Sequence, residues 1–257
     1  MPTRQSVCLP ILPPMDRDEL LEQIAAIGYP AVEIWERDDT FADLCRAADR
    51  YGLRLASMIG HRALGDGLNN RANHDRIEAE LRTSIDLAAD RGMSGLICFS
   101  GNRIPGLSEE EAIEATAEGL RRAAPHAEAK GVNLNLELLN SRVDHAGYQC
   151  DHTAWGLQVV EKAASPRVKL LYDIYHMQIM EGDIIRTLRT HNEAIGHIHT
   201  AGNPGRNELD EAQELNYAGI CRALAATPYD GYVGHEFTPR GHVVAALRQA
   251  FDLCDQQ

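Results

Sequence analysis

The sequence predicts a single (β/α)8 TIM barrel, and two observations carry this prediction. First, short apolar runs alternate with stretches of helical periodicity along the 257 residues, and there are eight of each. This alternation is typical of a parallel sheet, and eight units favour closure into a barrel over an open sheet. Second, about 250 residues is the usual length of one such barrel, so one domain covering residues 1–257 is the default.

The predicted strands are short and rich in aliphatic residues. In chain order they cover 6–9, 31–35, 54–59, 95–100, 133–137, 169–173, 196–199 and 231–236. The fifth reads NLNLE, and its polar and apolar residues alternate. Because side chains alternate between the two faces of a strand, leucines that face the helices place Asn135 and Glu137 inside the barrel. The same count places His199 and Glu236 on inward faces.

The predicted helices begin with residues that favour a helix start, and several end at a glycine. They start near Asp16, Thr40, Asn73, Ser108, Thr153, Asp183, Tyr217 and Gly241. Ser108 with Glu111 three residues later predicts a capping box.

No glycine-rich dinucleotide motif follows the first strand, which disfavours a Rossmann fold. The longest loops, 60–73, 140–151 and 200–215, all follow strands, so we expect them on the rim that carries the active site in this fold.

The amino-acid composition limits the kinds of partner that the protein is expected to bind. Hydrophobic residues make up 44% and charged residues 25%, and no apolar run approaches the ~18 residues that a membrane span needs. The net charge of −13 weighs against nucleic acid and favours a small-molecule substrate. Residues 1–14 do not form a secretory signal, and six scattered cysteines show no metal or disulfide pattern, so we expect a cytoplasmic chain with free thiols. A homo-oligomer is compatible with all of this.

Four residues with metal-binding side chains stand at the ends of predicted strands. They are Glu137, Asp173, His199 and Glu236, separated by 36, 26 and 37 residues. This spacing is close to the ~30 residues of one strand-helix unit, so the four positions would meet at one rim of the barrel. Three carboxylates that converge repel each other unless a cation holds them. One divalent ion (Mn²⁺, Mg²⁺, Co²⁺ or Zn²⁺) suits this set and leaves coordination positions free for substrate oxygens.

Other polar residues near the strand ends are candidates for substrate binding. His176 lies three residues after Asp173, and Arg206 follows a glycine-rich segment where barrels often bind anions. Trp35, near the end of the second strand, is a candidate wall for a sugar site, and a core tryptophan is the alternative. His61, after Gly60, is a further rim candidate.

Several short motifs resemble one family. Leu136-Glu137-Leu138, Tyr172-Asp173-Ile174-Tyr175-His176, His197-Ile198-His199-Thr200-Ala201-Gly202 and Gly234-His235-Glu236-Phe237 are similar to the four site motifs of the xylose-isomerase-like barrel superfamily. The hydroxypyruvate isomerase branch is most similar, and the sugar 3-epimerases come next. The resemblance implies that Glu137, Asp173, His199 and Glu236 bind a metal, that Glu137 and Glu236 also act as acid and base, and that His176 and Arg206 bind substrate oxygens. His199 departs from the glutamine frequent in hydroxypyruvate isomerases, which leaves the substrate open.

The expected function is therefore a metal-dependent isomerase of a small hydroxy-carbonyl compound or sugar that works through an enediolate. Conversion of hydroxypyruvate to tartronate semialdehyde is the leading specific reaction. Three alternatives stay open: a ketose 3-epimerase, a keto-sugar or keto-inositol lyase or dehydratase, and a non-catalytic carbohydrate-binding barrel. Retention of both Glu137 and Glu236 argues against the last of these. The superfamily also contains abasic-site endonucleases, which the acidic net charge disfavours.

Overall fold

The computed structural model of the chain describes residues 3–256. Within that range the strands are β1 (Arg4–Cys8), β2 (Ala31–Glu33), β3 (Arg54–Leu55), β4 (Ser57–Ile59), β5 (Gly95–Cys98), β6 (Asn133–Glu137), β7 (Val168–Asp173), β8 (Ile195–Thr200) and β9 (Tyr232–His235). All pairings between them are parallel, in the order β3-β2-β1-β9-β8-β7-β6-β5-β4. The predicted TIM barrel is confirmed.

The predicted third strand, 54–59, is present but is divided into β3 and β4 at Ala56. The backbone N–H of Ala56 donates to Val32 O at 2.9 Å, and Ser94 N–H donates to Ala56 O at 3.3 Å. The interrupted strand therefore joins β2 on one side to β5 on the other. It closes the barrel with eight strand positions.

The helices surround the barrel, and each of the eight predicted helices is present. Those in residues 3–256 are α1 (Arg17–Ile27), α2 (Phe41–Arg50), α3 (His74–Asp90), α4 (Glu109–Lys130), α5 (Thr153–Ala163), α6 (Ile174–Met180), α7 (Ile184–His191), α8 (Tyr217–Ala225) and α9 (Val243–Cys254). The capping box of Ser108 and Glu111 starts α4 as predicted. Helix α6, which contains His176, was not among the predicted helices. None of the helices in the described range combines the length and apolarity that a bilayer crossing requires.

The alternation in β6 sorts side chains as expected. Leu134 and Leu136 are fully buried in the main hydrophobic core. Asn135 points into the barrel instead, because a Cβ added at Gly196 on β8 would come within 2.2 Å of its Oδ1. Glu137 shares this inward face at the carboxyl end of the strand. All six cysteines are buried and free, as expected.

Candidate active site

Four predicted ligand residues come together at the carboxyl ends of adjacent strands. Glu137 ends β6, Asp173 ends β7, His199 lies in β8, and Glu236 follows the last residue of β9. Asp173 and His199 are direct partners in the β7–β8 register. The ligand atoms of all four lie within 4.8 Å of one another, and all four residues are buried. Parallel pairing thus brings residues 36, 26 and 37 positions apart into one small volume.

The ring of His199 lies between Glu33 on one side and Glu137 and Glu236 on the other. Its Nδ1 lies 3.6 Å from Glu137 Oε1 and 3.4 Å from Glu236 Oε2, and it has no hydrogen-bond partner although it is buried. Its Nε2 lies 3.1 Å from Oε2 of Glu33. A proton on Nε2 can therefore be donated to Glu33, which leaves the Nδ1 lone pair directed at the three other ligand candidates.

Glu33 is a buried carboxylate whose partners the sequence did not reveal. Its Oε2 also lies 3.0 Å from Nε2 of His197, and its Oε1 accepts a 2.5 Å hydrogen bond from Ser6 Oγ. Burial alone would raise its pKa, but His197 and His199 hold the pKa of Glu33 well below its usual range. Glu33, His197 and His199 also form a second group that could hold a metal ion. Glu33 lies behind His199, on the side away from the three other candidate ligands.

Glu236 receives a donor on each of its oxygens. The Nε1–H of Trp35 donates to Oε1 at 3.1 Å, and the Cys8 thiol lies 3.7 Å from the same oxygen. Arg206 donates to Oε2. Burial would raise the pKa of Glu236, but the charges of His199 and Arg206 hold it well below its usual range. This carboxylate is therefore ionised in the site.

The surroundings of Glu137 raise its pKa, whereas those of Glu236 lower the pKa of that residue. Burial raises the pKa of Glu137 to about 6, and the nearby charge of Glu236 adds to the rise, although His199 opposes it. Burial would lower the pKa of His199, but Glu236 and Glu33 raise it well above its ordinary value. Two glutamates of one site thus differ in basicity, a pattern that often separates acid and base roles.

His176, on the first turn of α6, is fully buried beside Asp173. Its backbone N–H donates to Asp173 Oδ1 at 3.0 Å, so Asp173 caps the helix that carries His176. The ring Nδ1 lies 2.6 Å from Nδ2 of Asn140, and the ring Nε2 has no hydrogen-bond partner. Burial and the charge of Arg206 hold the pKa of His176 well below its ordinary value.

Arg206 enters the site from the loop after β8. Its backbone is fixed by a 2.9 Å hydrogen bond from Thr238 N–H to Arg206 O. The guanidinium lies 5.8 Å from the ring centre of Tyr175 and donates to Glu236, while its Nε is buried without a partner. Burial would lower its pKa, but Glu236 and Asp173 raise it above its ordinary value. Arg206 is a fixed positive charge beside the carboxylates.

A cavity of about 540 Å³ opens onto Glu137, Arg206 and Glu236, whereas Asp173, His176 and His199 lie behind them and do not line it. Trp35, His61, Phe99, Glu137, Arg206 and Glu236 are among its lining residues. Trp35 and His61, two of the candidates for substrate binding, thus line the cavity. Both ring nitrogens of His61 are near backbone groups: Nε2 accepts from Phe99 N–H at 3.0 Å, and Nδ1 lies 3.1 Å from Arg62 O. His61 therefore offers the cavity a ring face or edge rather than a free nitrogen.

The family model of the xylose isomerase-like TIM barrel matches residues 21–256 of the chain. The chain belongs to this family. A putative hydroxypyruvate isomerase of Homo sapiens is 31% identical over 232 residues, which cover 86% of this chain and 83% of that protein. A 2-oxo-tetronate isomerase of Cupriavidus necator is 33% identical over 231 residues, 87% of each chain.

Solved structures agree on the barrel. A crystal structure described as an AP endonuclease of family 2, from Brucella melitensis, has a TM-score of 0.85 and 26% identity, and the match covers 96% of this chain and 97% of that one. Sugar 3-epimerases at 17 to 22% identity are also similar in structure, and at that level the likeness shows the fold alone.

Proposed function

We propose that this xylose isomerase-like barrel is a divalent-metal-dependent isomerase of a small 2-oxo or hydroxy acid, with hydroxypyruvate and tartronate semialdehyde as the leading substrate pair. The observation that carries the proposal is the buried group of Glu137, Asp173, His199 and Glu236, of which Glu137 and Glu236 line the cavity. Relatives named as isomerases of hydroxypyruvate and of a 2-oxo-tetronate, about 30% identical, support the reaction class.

The donor set fits a divalent ion. Nδ1 of His199 is a buried nitrogen with no hydrogen-bond partner, and carboxylate oxygens of Glu137 and Glu236 lie 3.6 and 3.4 Å from it. Three carboxylates with one neutral imidazole suit Mn²⁺, Mg²⁺, Co²⁺ or Zn²⁺, and their charge leaves the loaded site near −1. When bound, such an ion polarises adjacent carbonyl and hydroxyl oxygens of the substrate and so acidifies the C–H bond between them.

Glu137 and Glu236 are the proposed acid and base. Their strands, β6 and β9, lie on different sides of the barrel, so the two carboxylates approach a substrate in the cavity from different directions. The raised pKa of Glu137, about 6, suits a group that takes and returns a proton near neutral pH. A proton removed from the hydroxymethyl carbon of hydroxypyruvate gives a planar enediolate and is then returned to the former carbonyl carbon. The hydroxyl proton of the hydroxymethyl group passes to the former carbonyl oxygen, which completes the isomerisation.

Arg206 and His176 are the proposed substrate-binding groups. Arg206 supplies a fixed positive charge, with a buried Nε that has no protein partner, and a guanidinium is well suited to a carboxylate. His176 supplies an unpartnered ring nitrogen. Trp35 and His61 would form the walls against which the carbon chain packs.

A ketose 3-epimerase is the second candidate, because the site contains two carboxylates from different strands rather than one. A 1,2-isomerase needs a proton acceptor on one face of the enediolate, whereas a 3-epimerase needs one on each. Both Glu137 and Glu236 have oxygens within the same 4.8 Å group, so either use is open to them.

The similarity to a protein described as an endonuclease does not lead us to propose a DNA substrate. Binding to a phosphate backbone depends on clustered lysine and arginine, whereas this chain carries a net charge of −13. The candidate site is also buried beneath a cavity of about 540 Å³, a volume that suits a small molecule.

The test is a substrate panel followed by solvent labelling. Hydroxypyruvate, ketoses and aldoses are incubated with Mn²⁺ and followed for reversible interconversion. The active substrate is then turned over in D₂O. An isomerase that transfers a proton should place deuterium on the carbon next to the product carbonyl, whereas an epimerase should label the inverted carbon.

Glu137→Gln and Glu236→Gln serve as the matched variants. Each should lower kcat by a factor on the order of 10² or more, the usual scale for losing a positioned acid or base. Turnover without solvent label, together with active glutamine variants, would contradict the enediolate mechanism and favour a hydride shift.

A further inference from the structure

Asn140, three residues beyond the end of β6, has a side-chain amide whose orientation is fixed. Its Oδ1 accepts hydrogen bonds from the backbone N–H groups of Val143 and Asp144, both at 2.9 Å. Its Nδ2 donates to Asp144 Oδ2 at 2.7 Å. A flipped amide would lose all three bonds, because it would set oxygen against oxygen and N–H against N–H.

The second partner of this amide nitrogen is His176. Nδ2 of Asn140 lies 2.6 Å from Nδ1 of His176, and both residues are fully buried. An amide NH₂ group only donates, so Nδ1 of His176 must present a lone pair. The ring then carries its proton on Nε2. A doubly protonated ring would set N–H against N–H at the same contact.

The other ring nitrogen of His176 has no hydrogen-bond partner. Nε2 is buried and lies 3.6 Å from Oδ2 of Asp173, a candidate metal ligand. A buried donor left unpaired costs free energy unless a ligand satisfies it. Its place beside Asp173 puts this donor next to the proposed metal ligands.

We propose that Asn140 is a positioning residue that acts through His176. Its amide donates to Nδ1 and so fixes the ring tautomer with the hydrogen on Nε2, and the site presents a hydrogen-bond donor to a substrate oxygen that can only accept. The carbonyl oxygen of a 2-oxo acid or ketose is such an oxygen. Negative charge grows on that oxygen as the neighbouring carbon loses its proton, so the hydrogen bond strengthens as the reaction proceeds. The choice of this oxygen rests on the proposed function, whereas the protonation of His176 does not.

The first test is a nitrogen–proton correlation spectrum of the imidazole rings in ¹⁵N-histidine-labelled, metal-free protein near neutral pH. The signals of His176 are assigned from the spectrum of His176→Gln. We expect Nδ1 to be unprotonated and Nε2 to carry the proton. A proton on Nδ1, alone or together with Nε2, overturns the proposal. This measurement needs neither metal nor turnover, so it decides the role of Asn140 even if no isomerase activity is found.

The second test replaces the donor by an acceptor. Asn140→Asp retains an oxygen for the two backbone N–H groups but places a second oxygen against His176 Nδ1. We expect the proton to move from Nε2 to Nδ1, and kcat to fall by a factor on the order of 10², the scale for losing one donor to a developing oxyanion. If the variant folds with the protonation of His176 unchanged, the proposal is overturned. If it does not fold, the wild-type spectrum decides.

The control is Tyr175→Phe. It removes the 2.9 Å hydrogen bond from Tyr175 Oη to Asp144 Oδ2, which ties the same loop to α6, but it leaves the contact between Asn140 and His176 intact. We expect its His176 signals to match those of the wild type, and its kcat to stay within about twofold. A change in Tyr175→Phe as large as that in Asn140→Asp would show that loop anchoring, not the protonation of His176, is responsible.

Discussion

Asp173 and Arg206 lie in the same buried site but are proposed to act differently. Asp173→Asn should weaken metal binding by more than about 100-fold, because loss of a ligand exceeds the cost of disturbing its neighbours. Arg206→Ala should raise KM and leave metal affinity equal or higher, because it removes a positive charge next to Glu236. Titration of each metal-free variant with Mn²⁺, together with steady-state kinetics, measures both effects. Equal loss of metal in both variants would contradict the assignment.

Glu33 contacts the proposed ligand His199 and is not itself one of the four proposed ligands, so its replacement tests whether such a contact contributes to metal affinity. Because Glu33 accepts from the Nε2 side of His199, Glu33→Gln should weaken metal binding by about 10- to 100-fold. Ser6→Ala is the matched control, since it removes the hydrogen bond to the other oxygen of Glu33 and leaves His199 untouched. Calorimetric titration of the metal-free Glu33→Gln and Ser6→Ala proteins measures the metal affinity of each variant. Binding of two ions per wild-type chain would instead indicate that Glu33 is itself a ligand.

At the level of secondary structure elements, the contact between β2, β8 and β9 depends on the absence of a side chain at Gly234. A Cβ there would lie 2.1 Å from Glu33 Oε1 and 2.9 Å from His199 Cδ2. Gly234→Ala should therefore lower the free energy of unfolding by about 1–3 kcal/mol, as overpacking usually does. Gly241→Ala, where an added Cβ meets nothing within 4 Å, is the control. Urea unfolding of the metal-free proteins measures both, and equal values would show that Gly234 is not confined.

Long helices with a periodic pattern were predictable, whereas the short and buried helix α6 was not. Helix α4, with 22 residues and a capping box, was predicted to start near Ser108, which is its N-cap. Helix α6 has seven residues, and five of them are buried, so it shows no polar face that would reveal helical periodicity. The break in the third strand at Ala56 was missed for a related reason. Hydrogen bonds to strands on both sides decide it, and those partners are distant in sequence.

For the molecule as a whole, a metal that binds only the folded state should stabilise it. At a free ion concentration 100 times Kd, the gain is about 2.7 kcal/mol. Treatment with EDTA should therefore lower the melting temperature and abolish activity, and added Mn²⁺ should restore both. Asp173→Asn should show little response to either treatment. Full activity of the metal-free wild type would remove the basis for the proposed site.

The amino-acid sequence was sufficient to predict the barrel and the positions that meet at its rim. Alternation of eight strands with eight helices specifies the topology, and the topology brings every strand end to one edge. Glu137, Asp173, His199 and Glu236 were predicted to converge for that reason, and their ligand atoms do lie together. The periodicity of β6 likewise predicted which of its residues face inward.

The side chains that surround the four candidate ligands could be identified only from the folded structure. The pairing of Glu33 with His199 joins residues 166 positions apart, and the amide of Asn140 meets a ring 36 positions away. A polar residue in a strand or loop carries no local signal of its partner, because hydrogen bonds form over about 3 Å in space regardless of sequence separation. The charge states and ring protonation of the site follow from those contacts. These properties of the site therefore depend on contacts that form only when the strands pair in the folded barrel.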